Sequence, residues 1–362
     1  MRANKEDSKA FTVEIGNLRV ISDSTRKDHD KIINWIDGHK FKDGSTGKSI
    51  AFVLPTKACR YARASHGGCS FCTLPTDNPW NPSDELLNAL PDRCLEIFER
   101  KKKEFPELKA AKFYTSGSFL DPWELPLEVR ADILQKFSKI SDEIVIETRC
   151  EYVTRKQMDH AIQFVDPSKL IIAIGQESTN DEINARANNK GHTLKQFTRA
   201  TNLLHEYKIN VKGYILLKPI FVSERLAVFD AINSAKEMLD LGVESISINP
   251  CYIGKGTLME KLFKGNEYKP PWLWSVLEVT KRIKEMGGEN LIVISDPVAA
   301  GQDRGPRNCG KCDRTFREVL KEFSATQDLS LLDTLECDCR YTYHAILRME
   351  DLSWGNGVSS VH

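Results

Sequence analysis

The sequence predicts an α/β fold built on a parallel sheet, open or closed into a barrel, and three observations carry that reading. Seven short apolar runs, rich in β-branched and aromatic residues, recur at 49–55, 110–115, 143–148, 169–174, 211–217, 244–249 and 291–294. They are mostly continuous rather than alternating, as strands buried on both faces require. Amphipathic stretches at helical spacing separate them, at 92–104, 127–139, 194–207, 225–240 and 272–287. Strands alternating with helices imply right-handed βαβ units. Finally, the loops that follow the strands carry unusual chemistry, and active sites on such sheets collect at strand carboxyl ends.

Taken in order, residues 1–48 read as a polar, peripheral lead-in with one apolar helical stripe at Ile32, Ile33 and Trp35. The α/β body spans 49–300, and 301–362 forms a cysteine-rich extension. Pro91 marks the start of the helix expected at 92–104. An apolar content of 41% with 28% charged residues suits a soluble protein with a sizeable core. No apolar run approaches the roughly 20 residues that span a bilayer, and the N-terminus lacks the apolar stretch of a secretory signal. A cytoplasmic location with no membrane partner is expected. There, ten cysteines read as metal ligands and core thiols rather than disulfides. Lys+Arg and Asp+Glu balance at 51 each, so bulk charge does not draw the chain to nucleic acid.

Cys59, Cys69 and Cys72 stand in the loop after the first strand, with nine residues between the first pair and two between the second. Three thiolates can hold three irons of a [4Fe-4S] cluster and leave the fourth iron open to a small molecule. The alternative is a zinc knuckle completed by His66, but zinc sites usually pair their cysteines. This segment, Cys59…Cys69-Ser-Phe-Cys72, resembles the cluster motif of the radical S-adenosylmethionine (SAM) superfamily, in the branch of elongator-type tRNA enzymes. The resemblance implies a partial (β/α)6-type radical SAM barrel, a [4Fe-4S] cluster on these three cysteines, and SAM on the open iron. It also implies that Phe71 packs near the adenine.

Further strand ends fit the same resemblance. Thr115-Ser116-Gly117-Ser118 occupies the place of the small-residue motif whose backbone meets the SAM amino group. Glycine there permits close backbone approach. Arg149 is expected to pair with a carboxylate of SAM and Glu147 to orient it, while Gln176 and Glu177 suit the ribose hydroxyls. Asn189-Lys190-Gly191-His192-Thr193 again resembles the elongator-like branch. The run Ser295-Asp296-Pro297 through Gly305-Pro306-Arg307-Asn308-Cys309-Gly310-Lys311-Cys312-Asp313 is similar to the radical SAM (beta) subunits of archaeosine synthases.

Cys309, Cys312, Cys337 and Cys339 form two close pairs near the C-terminus. Two such pairs can close one tetrahedral Zn2+ site; a second iron–sulfur cluster is the rival. Cys94, Cys150 and Cys251 read as ordinary buried thiols. Trp272 and Trp274 read as packing at a helix start, and 99–104 as a solvated charged face.

The resemblance implies an enzyme of tRNA modification. A 5′-deoxyadenosyl radical would remove hydrogen from a lysine already attached to 7-cyano-7-deazaguanine in the tRNA D-loop, and the carbon–nitrogen bond would break to leave archaeosine. It further implies a partner that attaches the lysine (the alpha subunit) and an electron donor. Given the neutral charge balance, the partner is expected to supply much of the grip on tRNA. The competing expectations are a different radical SAM enzyme acting on tRNA or a small molecule, and a non-enzymatic zinc-bearing adaptor.

Overall fold

The computed structural model describes residues 11–18, 30–73 and 81–350. Parts of the expected lead-in (1–10 and 19–29) and the end of the expected extension (351–362) lie outside the described residues. Eight strands form one sheet in sequential order: β1 (Ile33–Lys40), β2 (Thr46–Val53), β3 (Leu108–Tyr114), β4 (Glu143–Thr148), β5 (Leu170–Glu177), β6 (Asn210–Leu217), β7 (Ser245–Pro250) and β8 (Ile292–Ile294). The pairs β2/β3, β3/β4, β4/β5 and β7/β8 are parallel. All seven expected runs are strands, with ends shifted by a few residues.

The helical stripe expected at Ile32, Ile33 and Trp35 is instead the start of β1, antiparallel to β2. Ile33 and Trp35 are 51% and 41% exposed while Ile32 is 3% exposed, an alternation of period two that no helix face gives. A tight turn makes the hairpin: Phe41 N–H donates to Ser45 O at 3.0 Å, with Gly44 at φ 85°. The hairpin crosses the expected boundary at 48–49, so the lead-in contributes an edge strand to the sheet. Pro91 likewise does not begin its helix. That helix runs Asp84–Glu104, and Ser83 caps it by accepting from Leu86 N–H at 3.2 Å. Pro91 is buried on its core face.

By backbone contacts the chain divides into two compact units. Among the described residues, one comprises 11–18, 30–68, 73, 81–175 and 195–212; the other comprises 69–72, 176–194 and 213–350. The core of the first is an aromatic cluster between its strands and the helices Asp84–Glu104 and Leu127–Ser138. Phe113 meets Phe52 at 5.3 Å and Phe137 edge-on at 4.8 Å, and Phe98 meets Phe137 edge-on at 5.5 Å. All four rings are fully buried, and each such pair adds about 0.5–1.5 kcal/mol beyond its burial.

In the second unit, helices Glu224–Asp240 and Leu273–Gly287 accompany β7 and β8, and the tail packs on them. Trp274 meets Phe316 edge-on at 4.6 Å, and Tyr343 OH donates to Glu278 Oε2 at 3.1 Å. The open edge of β8 is covered from the tail: Gln327 accepts from Val293 N–H at 2.8 Å and donates to Val293 O at 2.7 Å. Covering an edge removes a template for unwanted pairing.

Candidate active site and metal centre

In the first unit, the chain leaving β2 turns sharply at Ala58, whose φ of 68° is unusual for a residue with a side chain. The turn sets Cys59 as the half-buried cap of helix Arg60–Arg63, where its carbonyl accepts from Arg63 N–H at 3.0 Å. Thr115, Ser116 and Ser118, beyond β3, are all buried. Between them, Gly117 lies against the first cysteine: an added Cβ would sit 2.6 Å from Cys59 Cα and 2.8 Å from its Cβ. Only glycine allows that approach.

The same Cβ would meet Glu124 Oε2 at 2.5 Å, and sequence reasoning missed this residue. Glu124 is fully buried, accepting from Thr56 Oγ1 at 2.9 Å and from Ser118 N–H at 2.6 Å. Burial pushes its carboxyl up to about 7. A carboxylate soon after the small-residue loop was the available signal, but nothing local distinguishes it from a solvated turn residue.

Arg149 sits at the end of β4, buried to 6% exposure. Its N–H donates to Ser118 Oγ at 3.0 Å, and its guanidinium lies 4.2 Å from the centre of the Tyr61 ring. Arg149 also pairs with Glu151, two residues on, at 2.5 Å. Glu147 lies in the field of Lys212, a buried ammonium pushed down to about 7 chiefly by desolvation. His66 stacks on Tyr61 at 4.1 Å and accepts from Gly68 N–H at 3.3 Å.

In the second unit, Cys72 N–H donates to Cys69 O at 3.3 Å, closing a tight turn around Ser70 and Phe71. Ser70 fixes the turn: its N–H reaches Asn188 O at 3.0 Å and its hydroxyl reaches Ala187 O at 2.5 Å. These carbonyls belong to a π-helical segment, Asn184–Asn188, ended by Asn189 at φ 47°. Such bulges recur at functional sites. Asn184 Nδ2 donates to Gln176 O at 2.9 Å and Ser178 O at 2.6 Å, tying the end of β5 to the same segment. Among the described residues, Gln176 Oε1 and Asn188 Oδ1 are buried acceptors with no donor, a demand that a hydroxyl-bearing ligand would meet. Glu177, at a φ of 66°, is already paired with Lys190 at 2.7 Å.

The tail cysteines converge. Sulfur separations are 3.9 Å for Cys309–Cys312, 3.7 Å for Cys309–Cys337 and 3.8 Å for Cys312–Cys339. All four sulfurs lie within 4.8 Å of one another, the one such donor group among the described residues. Gly310, at φ 88°, makes the turn between the first pair. Asp313 braces it, accepting from Asn308 N–H at 3.0 Å and Gly310 N–H at 3.3 Å. Trp274 Nε1–H donates to Cys339 Sγ at 3.2 Å and Asn308 Nδ2–H to Cys312 Sγ at 3.4 Å. Burial raises the thiols of Cys312 and Cys339. A bound cation would reverse that and hold them as thiolates. The remaining three cysteines are core thiols; Cys94, Cys150 and Cys251 are at most 2% exposed.

A sequential α/β sheet with a three-cysteine loop after its first parallel strand defines the class, and residues 53–232 match the Radical SAM superfamily. Archaeosine synthase subunit beta of Methanosarcina acetivorans is 35% identical over 325 residues, covering 89% of this chain and 91% of that protein. Its namesake from Thermococcus kodakarensis is 37% identical over 320 residues, covering 86% and 95%. Among solved structures, archaeal Methanocaldococcus infernus Elp3 with an N-terminal deletion aligns at 16% identity and a TM-score of 0.48, covering 64% of this chain and 58% of that one. The chain belongs to the radical SAM superfamily and, within it, to the archaeosine synthase subunit beta family. Membership makes it an enzyme rather than an adaptor, and implies SAM and a [4Fe-4S] cluster.

Proposed function

We propose that this chain forms archaeosine in tRNA, by breaking the lysine carbon–nitrogen bond of lysine-modified 7-cyano-7-deazaguanine. The observation that carries the reading is the match to two archaeosine synthase beta subunits at 35% and 37% identity over nearly the full length of each. When bound, the cluster and SAM supply a 5′-deoxyadenosyl radical on one-electron reduction, and that radical takes hydrogen from the lysine portion. Cys59, Cys69 and Cys72 hold the cluster. Gly117 and its neighbours give SAM a close backbone wall, Gln176 offers an acceptor to its ribose, and Arg149 offers a cation to its carboxylate. The protein's remaining work is to position the reacting carbon and exclude water.

An alpha subunit attaches the lysine and carries much of the grip on tRNA, consistent with a chain whose charges balance. A separate reductant supplies electrons. The location is cytoplasmic; among the described residues no helix is long and apolar enough to cross a membrane. The tail cysteines bind zinc and pin the extension to its own unit. A Zn–S bond of about 2.3 Å spaces tetrahedral sulfurs about 3.8 Å apart, and the three pairs at 3.7–3.9 Å support that reading, whereas the corners of a cubane hold thiolates much farther apart.

The test is anaerobic incubation of the chain with SAM, dithionite and lysine-modified tRNA. Archaeosine and 5′-deoxyadenosine should appear together by mass spectrometry. Deoxyadenosine without archaeosine would point to another substrate and sink this reading.

A further inference from the structure

We propose that Glu124 is a positioning residue. It locks the loop bearing Cys59 to the Thr115–Ser118 backbone, and so sets the geometry in which SAM is received. The proposal rests on the reading that Cys59 ligates the cluster and that the small-residue loop faces SAM. One carboxylate links adjacent strand ends. Its Oε1 takes the hydroxyl of Thr56, three residues before Cys59, at 2.9 Å, and its Oε2 takes Ser118 N–H at 2.6 Å. Ser118 then passes the connection to β4, its hydroxyl accepting from Arg149 N–H at 3.0 Å. The ends of β2, β3 and β4 are thus threaded through two side chains, Glu124 and Ser118.

Space makes the coupling tight. Gly117 is wedged between the carboxylate and the cysteine, since a Cβ there would lie 2.5 Å from Glu124 Oε2 and 2.6 Å from Cys59 Cα. Any shift of Glu124 is therefore felt by both. A fully buried carboxylate is a costly brace where an apolar side chain would serve packing alone. Its use here follows from what it must hold: a backbone N–H and a hydroxyl from two loops, each needing an acceptor in a dry place.

The experiment compares the full chain with Glu124→Ala, Glu124→Gln and Thr56→Val after anaerobic reconstitution. It reads iron and sulfide content, the change that SAM causes in the EPR signal of the reduced cluster, and KM against kcat for 5′-deoxyadenosine. Glu124→Ala should keep its iron, raise the KM for SAM by about 10-fold or more, and blunt the EPR change. Glu124→Gln, which keeps an acceptor for Ser118 N–H, should recover most of both. Should Glu124→Ala fail to fold, Thr56→Val severs one arm alone and should still raise KM with iron unchanged. A brace that serves only the fold would lower the melting temperature and leave KM and the EPR change at wild-type values, which overturns the proposal. If the wild-type chain itself assembles no cluster or cleaves no SAM, the reading beneath the proposal fails, and the proposal with it.

Discussion

The molecule carries two cysteine groups built on opposite principles. The tail quartet is gathered in advance, three sulfur pairs 3.7–3.9 Å apart and all four within 4.8 Å, with Trp274 and Asn308 already donating to them. The cluster trio is instead held through its backbone. Cys59 is set by a strained turn and by Gly117, while Cys69 and Cys72 are set by a turn that Ser70 anchors to a π-helical segment. A single ion needs sulfurs in van der Waals contact, and secondary structure can supply that without it. On the proposed reading the trio holds a cubane, which needs sulfurs well separated and one corner free, so loop geometry rather than sulfur contact would set it. On that same proposed reading, the contrast separates a centre that stabilises from one that reacts.

Single substitutions break this comparison most sharply. Changing Cys59, Cys69 or Cys72 to Ala should abolish deoxyadenosine formation, with little change in the melting temperature of the iron-free protein. Changing Cys337 to Ala should do the reverse, lowering the melting temperature by roughly 5–10 °C through loss of a structural ion. A chelator should reproduce that drop in the wild type and not in the variant. Thermal melts beside iron and zinc analysis check both.

Gly117→Ala sharpens the cluster side. Its Cβ would overlap the Cys59 backbone at 2.6 Å, so SAM cleavage should fall by about 10- to 100-fold, with tail zinc unchanged by metal analysis.

The smallest expected effect tests the scaffold. Asp230 accepts from Ser178 Oγ at 2.8 Å, and burial pushes its carboxyl up to about 7. Because the folded value is raised above the ordinary 3.8, its contribution is complete below about pH 4 and is lost as pH rises from there to about 7. Asp230→Asn should therefore melt with the wild type near pH 3.5 and above it near pH 8, by an amount on the order of a few kcal/mol or less. Equal melting temperatures at both pH values would contradict the assignment.

Much of this was legible in the sequence because it is local. Continuous β-branched runs found all seven expected strands, and cysteine spacing found the tail quartet, since residues three apart in a turn share a direction. Gly117 was also legible, because a glycine between serines at a strand end has few reasons to be there. What escaped depends on distant partners. β1 is a strand only because β2 pairs with it, and its three apolar residues in four positions fit a helical stripe equally well. Glu124 acquires meaning through Thr56, 68 residues away. The Arg149–Glu151 pair was missed because Glu151 comes within reach only where the chain enters a 3-10 helix after the strand, at Cys150–Tyr152. Backbone strain marks the same places: Ala58 before the first cysteine, Glu177 at the end of β5 and Lys218 just after β6 all have φ between 62° and 68°.

The most direct test of the central claim is the anaerobic reaction of reconstituted wild-type protein with SAM and dithionite, followed by mass spectrometry for 5′-deoxyadenosine. Near-stoichiometric iron and sulfide for one [4Fe-4S] cluster, with deoxyadenosine formed by wild type and not by Cys69→Ala, is the predicted result. A chain that binds a full cluster yet leaves SAM intact, or one in which Cys69→Ala cleaves SAM as well as wild type does, would contradict it.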